Sequence, residues 1–173
     1  MIKLKDILQE IGDASAKAFP WKYHKSHPAV DDQDFAYTFQ GDKGEGLVQF
    51  TLAGHNEWDI AFGSVMNDED GESADFAELT NEGPFKVMAT VTEILKDFLN
   101  NTYEKHIDDK EIFGQTEPKE LSFNTKKEKG RGKSGTSKRA NLYQAYIQKQ
   151  LPGASVKKFA SGYNNDAYII TLP

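Results

Sequence analysis

No cysteine occurs among the 173 residues, which excludes disulfides, thiolate metal sites and cysteine nucleophiles and suits a reducing compartment. Uninterrupted apolar runs are short, far below the roughly 20 residues that a membrane-spanning helix needs. The opening stretch MIKLKDILQEIGDASAKAF breaks its apolar pattern with acids, so it lacks the core of a secretory signal. These absences together predict a soluble, cytoplasmic protein without a membrane partner. Catalytic signatures are scarce as well. No G-x-S-x-G turn is present for a serine nucleophile. The segment Gly130-Arg131-Gly132-Lys133-Ser134 has the end of a phosphate-binding loop, but Lys127 stands where that pattern needs its first glycine. The acidic run Asn67-Asp68-Glu69-Asp70-Gly71-Glu72 invites a calcium reading, yet aligning Gly71 as the central glycine puts Met66 first and Ala77 last. Only four histidines occur; His24 and His27 are three apart, with no third metal ligand evident nearby. No metal site is expected.

What the chain does have is segregated charge. It carries 21 basic and 27 acidic residues. Seven of the fourteen residues from 126 to 139 are basic: Lys126, Lys127, Lys129, Arg131, Lys133, Lys138 and Arg139. Setting that window aside leaves 14 basic against 26 acidic residues, a formal charge of −12. The window is rich in glycine and opens onto an expected helix from Thr136 to Leu151, where free backbone N–H groups and the helix dipole add to the lysines. It reads either as a solvated surface loop or as an anion-binding or nucleic-acid-binding one. About five phosphate contacts would give a log–log salt slope near −4 or −5 on duplex DNA. No aromatic residue in the loop could stack on bases.

Hydrophobic residues at 38% suffice for one domain over 1–173, with mobile loops expected at 66–82 and 126–138. Leu4, Ile7, Leu8, Ile11, Ser15, Ala18 and Phe19 keep helical spacing up to Pro20. A polar connector containing Trp21, Tyr23, His24 and His27 follows. Strands are expected at Phe35 to Gln40, Leu47 to Ala53 and Trp58 to Val65, with Gly and Asn supplying positive φ in the connections. Asn67 to Glu82 reads as an acidic surface excursion. Met88, Val91, Leu95 and Phe98 make the buried stripe of a helix running from Gly83-Pro84 to Asn101. A strand at Glu120 to Thr125, the helix ending at Leu151, and a hairpin of Ser155 to Ser161 and Asp166 to Leu172 complete the chain. The order α-βββ-α-β-α-ββ predicts an α/β (α+β) fold, a central mixed sheet flanked by helices.

This order resembles the layout of the GCN5-related N-acetyltransferases over residues 35 to 172. The strand Trp58 to Val65, the helix from Gly83, the strand Glu120 to Thr125 and Leu142-Tyr143 carry the resemblance. It implies acetyl-CoA as a cofactor held by the Gly83 turn, with Lys133, Lys138 and Arg139 near its 3′-phosphate and Tyr143 as the acid for the departing thiolate. Thr80-Asn81-Glu82-Gly83-Pro84-Phe85 departs from the glycine-rich turn of that family. Pro84 removes a donor, and Glu82 repels phosphate. A second resemblance, to small uncharacterised bacteriophage proteins, rests on Trp58-Asp59-Ile60-Ala61-Phe62, on Glu82 to Val91, on Phe123-Asn124-Thr125-Lys126 and on Arg139 to Tyr143. It implies a phage origin. The preferred expectation is a phage accessory protein, without a cofactor, that binds a host or phage protein in the host cytoplasm. An acyl-CoA-dependent N-acyltransferase and a nucleic-acid backbone binder are the alternatives.

Overall fold

Aromatic and β-branched residues at every second position build most of this molecule. The computed structural model describes residues 16–68, 71–75, 84–102, 117–126, 144–145, 147–161 and 165–173. Among the described residues, eight strands form one sheet: β1 (Trp21–His24), β2 (Phe35–Gln40), β3 (Glu45–Gly54), β4 (Glu57–Asp68), β5 (Gly71–Asp75), β6 (Glu120–Lys126), β7 (Ser155–Ser161) and β8 (Asn165–Thr171). Their order in space is β1-β2-β3-β4-β6-β8-β7, and β5 pairs with β4 off that path. Every pairing is antiparallel except β4 with β6. The fold is therefore α+β with a mixed sheet.

A parallel neighbour needs a crossover, and α1 (Pro84–Asp97) lies in the chain between β4 and β6. Proline suits its first turn, and Lys96 in its last turn complements the dipole. The helix runs on into a π-helical turn, Phe98–Thr102. Val87, Met88, Val91, Ile94, Leu95 and Phe98 enter the core beside Phe35, Tyr37, Phe39, Val48, Phe50, Trp58 and Ile60. Phe98 is central: it stacks on Phe50 with ring centroids 4.0 Å apart and meets Phe35 and Trp58 edge-on. Burying each such ring stabilises the fold by about 1.5–3 kcal/mol. Polar ties fix the helix in place. Trp21 Nε1 donates to Glu93 at 3.2 Å, Tyr37 Oη to Asp97 at 3.4 Å, and the Phe19 amide to Thr90 Oγ1 at 2.9 Å. Residues 144–145 and 147–150 are helical; Ile147 joins the core, and Lys96 Nζ donates to Gln150 at 2.8 Å.

Four expectations need correction. Trp21–His24, read as connector, is a strand; Trp21 and Tyr23 point to the core in a two-residue alternation too short to stand out. Gly71–Asp75, placed in the acidic excursion, is also a strand, and β4 reaches Asp68 to meet it. The loop expected over 66–82 thus begins with paired backbone, which the ladder with β4 satisfies despite the charges. Residues 16–19 are not helical, because the residue before Pro20 disfavours helical backbone and Thr90 takes the Phe19 amide. In the turn between β3 and β4, Asn56 alone takes positive φ, 61°. Of the helix expected from Thr136 to Leu151, residues 144–145 and 147–150 are helical as expected, Leu151 lies just past its end, and the others fall outside the described residues. The first predicted helix up to Ser15 and most of the loop over 126–138 lie outside the described residues.

Candidate functional site

The sheet changes character where β4 and β6 part. Their parallel register runs from Glu57↔Glu120 to Ile60↔Phe123. β3 holds one edge of β4 as far as Ser64. β5 pairs with β4 from Ser64↔Asp75 to Asp68↔Gly71, so it occupies the other edge, the one that faces β6. Meanwhile β6 continues with β8 to Lys126↔Asn165. Three residues of β4, Ala61, Phe62 and Gly63, separate the two registers. The result is a fork between β4 and β6 whose upper part carries β5.

Asp59 sits next to this fork. Trp58 and Ile60 turn into the core, so two-residue alternation sends Asp59 to the opposite face, where it is exposed. Ser122, its register partner on β6, donates a hydrogen bond to Asp59 Oδ1. Although the residue is exposed overall, partial burial of its carboxyl pushes Asp59 above the ordinary aspartate value. On the same face Thr51 registers with Asp59. Thr51 Oγ1 donates to Asp34 Oδ2 at 2.9 Å, and Gln49 Nε2 donates to the same oxygen. Asp34 is only 8% exposed, so these two donors compensate a buried carboxylate. A polar row thus crosses the sheet: Asp34, Gln49 and Thr51, Asp59, Ser122. Sequence patterns assign none of these residues a role; Asp59 figures only inside the segment Trp58 to Phe62. The usable signal was a carboxylate between two large apolar residues, Trp58-Asp59-Ile60, which marks a polar face.

The residues the sequence did single out are placed unevenly. Lys126 ends β6. Gly83, Tyr143 and the remaining cations Lys127, Lys129, Arg131, Lys133, Lys138 and Arg139 lie outside the described residues. His24 and His27 are close, with ring centroids 5.2 Å apart. His24 Nε2 bonds to Thr38 Oγ1 at 2.8 Å, and His27 Nδ1 accepts from the Ala29 amide at 3.2 Å. With His27 only 7% exposed, the pair shapes the turn after β1. Among the described residues no three histidines or carboxylates cluster to hold a metal ion. At the opposite end of β6, a cleft of about 510 Å³ is lined by Leu99, Leu151, Leu172, Asn100 and Glu117, among others. Its one charged side chain is a carboxylate, which does not suit a phosphate.

Among the described residues no helix is long and apolar enough to cross a membrane. Comparison of the chain with protein-family models, with curated proteins and with solved structures finds no match.

Proposed function

We propose that this chain is a bacteriophage accessory protein of acetyltransferase-like layout that acts by binding a host or phage macromolecule rather than by catalysis. Support for the layout comes from the strand order. An antiparallel meander leads through a helix to one parallel pair, and the last strand of a closing hairpin inserts beside β6. The observation that carries the binding reading is β5. An acyl-CoA arm is extended and amide-bearing, and it would look for backbone partners along a strand at the fork. There β5 already pairs with β4 over five residues. Pro84 as the first residue of α1 leaves that helix one N–H fewer for a pyrophosphate.

The runner-up, an acyl-CoA-dependent N-acyltransferase, is favoured by Asp59 alone. A carboxyl whose pKa is raised by burial, beside a strand fork, is suited to accept a proton from an amine. Isothermal titration with acetyl-CoA and with CoA separates the two. No binding heat is expected; saturable binding at micromolar ligand overturns the binding reading in favour of the acyltransferase.

A further inference from the structure

We propose that the outer edge of β7 is a docking site for an extended acidic polypeptide segment, which joins the sheet there as an additional strand. This rests on the binding reading above and names its surface and the chemistry of its partner.

β7 ends the sheet: among the described residues its ladder partner is β8. A terminal strand turns the N–H and C=O of alternate residues outward, a template for another extended chain. The strand is open to solvent, with Ser155, Lys157, Lys158 and Phe159 all exposed. Phe159 is 47% exposed, whereas Phe35, Phe50 and Phe98 are fully buried. Lys157 and Phe159 share one face, where Lys157 registers with Ile169 and Phe159 with Ala167. An apolar patch beside a cation therefore lies along the edge, able to receive alternate side chains of an incoming strand.

Lysines on an edge strand commonly guard it against pairing with its own kind. A guard does not explain an exposed phenylalanine next to them, since that ring would promote the contact the lysines oppose. The two together select a partner. A second copy of this chain is disfavoured, because antiparallel pairing of β7 with itself about its centre sets Lys158 against Lys158, and like charges directly opposite repel. An acidic strand that carries a carboxylate and an apolar side chain two residues apart, hence on one face, satisfies both the lysine and the ring. The far end of β7 supports the same choice: Ser161 registers with Asn165, and Asn165 with Lys126, where the cationic stretch of the sequence begins.

The test uses the full chain and a fluorescein-labelled peptide that repeats Glu-Glu-Val-Val, which sets Glu and Val alternately along each face of a strand, read by anisotropy. Saturable binding that weakens with salt is expected. The double variant Lys157→Glu, Phe159→Ser, with circular dichroism showing it folded, should bind about tenfold more weakly. N-methylating one alternate set of peptide amides should abolish binding, while methylating the other set should not, since only one set faces β7. Equal binding by both methylated peptides, equal binding by the double variant, or absence of binding overturns the edge assignment. So does a Lys157-dependent preference for single-stranded DNA of the same charge. Failure of the edge leaves the wider reading testable by itself: a lysate partner captured equally by wild type and double variant keeps that reading and removes β7 from it.

Discussion

The two ends of this sheet treat the same residue type in opposite ways. At the β1–β4 end, phenylalanines are interlocked. Phe39 stacks on Phe19, Phe35 meets Trp58, and Phe98 fills the space between Phe50 and Trp58, all of them buried. At the β7 end, Phe159 stands in water between a lysine and a small residue. Helix α1 and the meander supply enough apolar surface to seal one end. The closing hairpin has two strands and one neighbouring strand, β6, so among the described residues no further strand lies beyond its outermost one. Stability is thus concentrated at one end and accessible surface at the other.

The sharpest way to break this comparison is Phe98→Ala. Removing the ring from between Phe50 and Trp58 should cost about 3–5 kcal/mol, read as a lowered urea midpoint with unchanged slope. Phe159→Ser at the other end should stay within about 0.5 kcal/mol of wild type. Similar costs for the two would mean that the ends do not differ in packing.

An intermediate effect is expected from Gly46→Ala. Gly46 registers with Phe39, and a methyl group there would overlap the Phe39 ring. Because that ring is held by Phe19, the variant should lose about 1–3 kcal/mol by overpacking. Combining it with Phe39→Leu should recover part of the loss; no recovery would show that the backbone rather than the ring is responsible.

The smallest effect concerns the fork, where the two ends meet. Burial holds the Asp59 carboxyl above its ordinary value of 3.8, so the folded state keeps that proton more tightly than the unfolded chain. Stability from this group therefore falls as pH rises from the ordinary value through the raised one, and it stays lower above that window. Asp59→Asn keeps an acceptor for Ser122 but removes the charge. Its melting temperature should gain on wild type above the window and lose that gain below it. A gain that is the same at all pH values would sink the electrostatic account.

Much of the frame was legible in the residues. Phe35–Gln40 and Ser155–Ser161 have the bounds their alternation predicted, and the stripe Met88, Val91, Leu95 and Phe98 does bury one side of a helix. The weaker signals were β1 and β5, of four and five residues, where local pattern competes with neighbouring proline or acids. The site was less legible still. Asp59 and Ser122 are 63 positions apart, and no periodicity announces that they will register.

By itself the sequence determined which segments alternate, which repeat at helical spacing and where opposite charges segregate, because those properties come from neighbours along the chain. Only the tertiary structure decided that β4 and β6 run parallel for four residues and then part, that β5 takes the edge between them, and that β7 is left outermost with Phe159 exposed. Strand neighbours are chosen by how the whole apolar surface can be buried at once. That is a property of the folded set of elements and of none of them alone.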